Sequence, residues 1–151
     1  MKLTTRGHYS VKALLDLSLQ PVGTVSSVSA IAQRQQLPAP YLEKLLIELR
    51  RSHLVSSVRG AHGGYRLAKA PAKISLGHIL EAVGESATAT VASLQPSAIA
   101  TEQAEDWVTS MLWQRLHQKL KDAFYSITLE DLYYDARSWQ AAQGEGASFV
   151  V

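Results

Sequence analysis

The chain has 151 residues, 46% hydrophobic and 19% charged, which suits one small folded domain with an added element and excludes two full enzymatic domains or disorder throughout. With no cysteine, it can form no disulfide, thiolate nucleophile or thiolate-held zinc or iron–sulfur cluster. The formal net charge of +2 divides unevenly: residues 1–76 hold eleven Lys/Arg against three Asp/Glu (+8), and residues 77–151 hold four against ten (−6), so the first half suits phosphate neutralisation and the second suits a position away from it.

The opening MKLTTRGHYS lacks the apolar block of a signal peptide, and no run approaches the roughly 20 uninterrupted apolar residues of a membrane span. A cytoplasmic chain with no membrane partner is expected. Val11, Leu14, Leu15 and Leu19 fall at helical spacing and Pro21 with Gly23 closes the segment, so the first helix covers about 4–20. Ser26 and Ser27 offer N-caps for a short second helix carrying Val28, Ile31 and Ala32 to about Gln36. LPAP at 37–40 punctuates the chain and places Pro40 in the first turn of a third helix, whose buried stripe is Leu42, Leu45, Leu46 and Leu49. The opposite face carries Tyr41, Glu43, Lys44, Ile47, Glu48, Arg50 and Arg51. Two short helices joined by a tight turn, the second polar and basic outside, form a helix-turn-helix pattern.

Residues 54–59 (LVSSVR) read as a strand, 60–64 (GAHGG) as a glycine-rich turn and Tyr65-Arg66-Leu67 as the returning strand. A hairpin directly after such a helix is the wing of a winged helix, with Arg59 and His62 at a tip that can reach phosphates or a minor groove. Ser75 caps a further helix bearing Leu76, Ile79, Leu80 and Val83, with Ile74 as a hydrophobic staple. Residues 84–102 lack a sustained period and are expected to form a long loop. From about Gln103 to Ile127 an amphipathic helix carries Trp107, Val108, Met111, Leu112, Leu116, Leu120, Ala123, Phe124 and Ile127 on one broad face, which points to dimerisation through it. TLED at 128–131 starts a last short helix to about Trp139, and 140–151 is expected to be a loose tail. The fold class is therefore mainly α with a small β-hairpin wing: a winged helix-turn-helix over 1–83, the loop at 84–102, and a long dimerisation helix with a short C-terminal helix over 103–139.

The stretches LTTRGHYSVKALLDL (3–17), YLEKLLIELR (41–50), LVSSVRG (54–60), GGYRLAK (63–69), SLGHILEAVGE (75–85), LWQRL (112–116) and ITLEDL (127–132) together resemble the Rrf2 family of winged-helix regulators, whose members include IscR, NsrR and CymR. The resemblance implies a homodimer that presents two winged helix-turn-helix units to a palindromic site on double-stranded DNA, and the reading adopted is a transcription regulator acting as a repressor. Carried over by position, Tyr41, Glu43 and Lys44 would approach base edges, Arg59 and His62 would act from the wing, and Ser27 and Pro40 would lie at the same surface. Arg6, Arg34, Arg50 and Arg51 would touch phosphates. Cluster-binding members carry three cysteines before the long helix and a further ligand nearby; residues 84–106 here hold neither Cys nor His, and Ser110 stands where a His ligand would precede LWQRL. No cofactor or metal is expected, because His8, His53, His62, His78 and His117 are scattered without metal-site spacing. The input is left open between a small-molecule effector, a partner protein and abundance alone. No phosphate loop, nucleophile elbow or paired carboxylates suggest an enzyme. The alternative from another class is a winged-helix adaptor using the third helix to bind protein, disfavoured by the basic wing and Glu43.

Overall fold

The computed structural model describes residues 4–85 and 103–148. Helix α1 spans Thr5–Leu19; Thr4 caps it by accepting from the Gly7 amide at 3.3 Å, and Gln20, held extended by the proline that follows, ends it. Helix α2, Val28–Gln35, is capped by Ser27, and Gln36 in the left-handed region (φ 54°) stops it by turning its amide back onto the Ala32 carbonyl. The turn to α3, Ala39–Arg51, buries Leu37 and leads through Pro38 and Pro40, which stand where no intrahelical N–H is needed.

Strands β1 (Val55–Val58) and β2 (Gly64–Leu67) pair antiparallel, Val55 opposite Leu67 and Val58 opposite Gly64. Ser26 exchanges backbone hydrogen bonds with Tyr65 at 2.9 and 2.8 Å, so the entrance to α2 lies along the wing as a third, one-residue strand. Gly64 permits this approach, since a Cβ there would come within 2.2 Å of the Ser26 carbonyl oxygen, on a backbone at φ 154°. A 3₁₀ turn, Pro71–Lys73, leads to α4, Leu76–Ala82. Ser75 and His78 form a reciprocal capping box, and Ile74 and Ile79 are buried on either side of it, as the staple expectation required.

The core joins α1, α2, α3, the wing, α4 and the start of the last helix through Leu14, Ile31, Leu42, Leu46, Ile79 and Leu129, all fully buried. Helix α5, Ala104–Ser126, meets this body through its C-terminal end: Phe124 and Leu80 are buried together with Leu120 packed beside them, and the Tyr125 ring lies against Gly77. Helix α6 begins at Leu129, with Thr128 and Asp131 capping each other reciprocally at 2.9 and 3.2 Å. It runs to Ser148, nine residues beyond the expected end at Trp139. The helix continues through the expected loose tail because the glycines at 144 and 146 each cost a helix only about 1 kcal/mol against Ala, and Ala141 and Ala142 support the turn before them. Of the loop expected over 84–102, residues 86–102 lie outside the described residues.

Candidate nucleic-acid interface

Helix α3 divides along its length. Leu42, Leu45, Leu46 and Leu49 are fully buried, while Pro40, Glu43, Lys44, Arg50 and Arg51 are exposed and Tyr41, Ile47 and Glu48 are half-buried at the edges. At helical spacing the outer residues form two rows, Tyr41–Lys44–Glu48–Arg51 and Pro40–Glu43–Ile47–Arg50. Tyr41 is braced by an edge-on contact with Tyr9 of α1, ring centroids 5.8 Å apart. Arg50 reaches within 3.5 Å of the Ser57 hydroxyl, so the end of α3 and strand β1 share one surface.

The wing tip continues that surface. Gly63 donates to the Gly60 carbonyl at 3.0 Å, closing a turn from which Arg59 and His62 project exposed. Ser27, exposed at the start of α2, uses its oxygen to accept from the Ala30 amide at 3.1 Å and keeps its hydroxyl proton to donate outward. Arg66, which the sequence reading did not single out, faces outward from β2 opposite Ser56; the strand alternation beside half-buried Tyr65 is the signal that would have found it.

Two arginines expected at phosphates also hold carboxylates of the protein itself. Arg34 grips Asp16, a carboxylate only 2% exposed, through Nη2 to Oδ1 at 2.7 Å and Nε to Oδ2 at 2.9 Å, and also donates to the Ser26 hydroxyl at 2.9 Å. Arg6 donates through Nε to the Val83 carbonyl at 3.1 Å and through Nη2 to the Glu48 carboxylate. The hydrogen bond to each carboxylate pushes that arginine's pKa above its usual value, so both remain cations at any working pH.

On α5, Trp107, Val108, Leu112 and Leu116 are 37–64% exposed, a broad apolar face for a small protein. Met111 is half-buried beside them. Leu120 and Phe124, expected in the same seam, are turned inward onto Leu80, because the end of α5 has to close over α4 before the chain reverses into α6.

Residues 3–135 match the Rrf2 family model, described as an iron-dependent transcriptional regulator. The chain belongs to the Rrf2 family. An HTH-type transcriptional regulator of Synechocystis sp., slr0846, is 61% identical over the full length of both chains, and the HTH-type regulator IscR of Erwinia tasmaniensis is 37% identical over 87% of this chain and 79% of its own. Among solved structures, CymR, the global cysteine regulator of B. subtilis, superposes with a TM-score of 0.73 at 30% identity, covering 89% of this chain and 97% of its own. T. potens IscR gives 0.71 at 36% identity, covering 93% and 91%. This Rrf2 chain is therefore a winged-helix, DNA-binding transcription regulator, a class whose members are not enzymes.

The iron in the family's description does not fit the residues of this member. No cysteine exists anywhere in the sequence, residues 86–102 offer Glu102 alone as a ligand, and among the described residues no three His, Asp or Glu side chains gather as a metal site. Among the same residues no helix is long and apolar enough to cross a membrane.

Proposed function

We propose that this Rrf2 protein represses transcription as a homodimer on a palindromic operator, with no protein-bound iron–sulfur cluster. The observation that carries the reading is the outer face of α3: Tyr41, Glu43 and Lys44 stand together beside a cationic wing, and their groups suit base edges, with Lys donating to guanine and a carboxylate accepting from the cytosine amino group. Arg50, Arg51 and Ser27 flank that row as phosphate contacts that set register, and Arg59 and His62 act from the wing. Residues 1–83 form the reading unit, and the apolar face of α5 supplies the seam, since Trp107, Val108, Leu112 and Leu116 are exposed and would gain burial from a second copy. A two-fold dimer then places two α3 helices in successive major grooves on one side of the DNA, which is what a palindrome reads.

Selection of fragments from genomic DNA by the full chain tests this directly. The expected result is a small set of promoter fragments sharing an inverted repeat, bound at least a thousandfold more tightly than random DNA. Recovered fragments with no shared sequence, bound no more tightly than random DNA, would overturn it.

A further inference from the structure

We infer that Arg6 is a positioning residue for the recognition helix, which neutralises and aims Glu48 of α3 and so tunes DNA affinity from behind that helix, making no phosphate contact of its own. The inference rests on α3 being the DNA-reading helix.

Glu48 lies on the same row of α3 as Tyr41, Lys44 and Arg51, one turn beyond Lys44 and one before the helix ends. Its side chain is 32% exposed, so its carboxylate stands at the border of the surface offered to DNA. A free carboxylate there would repel the phosphates that Arg50 and Arg51 attract. Arg6 removes that penalty. Its Nη2 holds the Glu48 carboxylate, and its Nε is fixed at 3.1 Å on the Val83 carbonyl just after α4, so the guanidinium cannot swing outward without releasing a backbone acceptor.

The surroundings of Arg6 restrict it further. Glu85 accepts from the Thr4 hydroxyl and adds its field to that of Glu48 around Arg6, and the space next to Gly7 is filled by Leu80 and Glu85, a Cβ there coming within 2.9 Å of Leu80. One arginine therefore ties the start of α1, the end of α4 and the last third of α3. One turn further along α1, Tyr9 braces Tyr41, so two α1 side chains hold two members of the same α3 row.

A paired-variant experiment separates this from a phosphate contact. Operator affinity and its salt dependence are measured for wild type, Arg6→Ala, Glu48→Gln and the double variant, with denaturant unfolding of each in the absence of DNA. The expected result is a loss of about ten-fold for Arg6→Ala, recovered to within about three-fold of wild type in the double variant, with a salt slope unchanged throughout. A double variant as weak as Arg6→Ala, with a slope lowered by roughly one phosphate per half-site, would overturn the inference and assign Arg6 to the DNA backbone. The unfolding cycle reads the tie whatever the DNA result: strictly additive effects of the two substitutions would also overturn it, whereas wild-type protein with no operator preference but a coupled cycle would refute the reading of α3 and leave the tie in place.

Discussion

Asp16 shows how a single buried residue sets the work of an arginine. A carboxylate 2% exposed is tolerable only when fully hydrogen-bonded, and Arg34 with Gln35, whose amide donates at 2.8 Å, supplies those bonds. Arg34→Ala should therefore lower unfolding free energy by about 2 kcal/mol, less than for a wholly buried pair because the guanidinium is 36% exposed, with the salt slope of DNA binding unchanged; denaturant melts and binding titrations check both parts. Arg51 has the opposite balance, exposed at the end of α3. Arg51→Ala should weaken specific and random DNA alike and reduce the salt slope by roughly one phosphate per half-site, whereas Glu43→Ala should relax base preference at one position and leave the slope as it was. Equal effects of both on every DNA would sink the division of labour along α3. The outer row of α3 was legible in the sequence because helical period alone places it. The fates of Arg6 and Arg34 were not, because their partners lie 42 and 18 residues away and only the folded chain brings them near.

At the scale of elements, the glycines separate two effects of opposite sign. Gly77 sits inside α4 where Ala would gain about 1 kcal/mol in helix propensity, but its new Cβ would stand 2.6 Å from the Tyr125 ring, and overpacking of that kind costs about 1–3 kcal/mol. Gly77→Ala should thus be destabilising on balance, and Gly144→Ala in α6, where nothing lies within 4 Å of the new carbon, stabilising by a few tenths to 1 kcal/mol; a matched pair of melts would show it. The face of α5 makes a separate demand. Leu112→Asp with Leu116→Asp puts two unpaired carboxylates into the proposed seam, and sedimentation should find the variant monomeric at micromolar concentration where wild type is a dimer, with the fold intact because both leucines are exposed in the single chain. A wild-type monomer at that concentration would end the idea. Helices α1 to α4 and the wing were readable to within a residue or two, since Thr4, Ser27, Pro40 and Ser75 mark their starts and the glycines mark the turns. The inward turn of Leu120 and Phe124 was not readable: a stripe records that a face is apolar, and not whether the helix's own domain or a second copy covers it.

For the whole molecule, the uneven charge and the missing thiolates belong together. The basic half, +8 over residues 1–76, suits a surface that binds DNA by releasing counterions, and that binding needs no cofactor to make it attractive. The family model is described as iron-dependent; here the sequence has no cysteine and no three His, Asp or Glu gather among the described residues, so affinity should depend on salt and sequence and not on oxygen. Protein produced and purified without oxygen should be colourless, carry no stoichiometric iron or sulfide, and bind its operator with the same Kd before and after exposure to air. Any input must then act through a difference in affinity between two arrangements of the proposed dimer, since a ligand that binds both equally shifts neither. Brown anaerobic protein with iron and sulfide near one cluster per protomer, and an operator affinity that falls on aeration, would mean that carboxylates and imidazoles hold the cluster unaided, and would restore oxygen or iron as the signal this regulator reads.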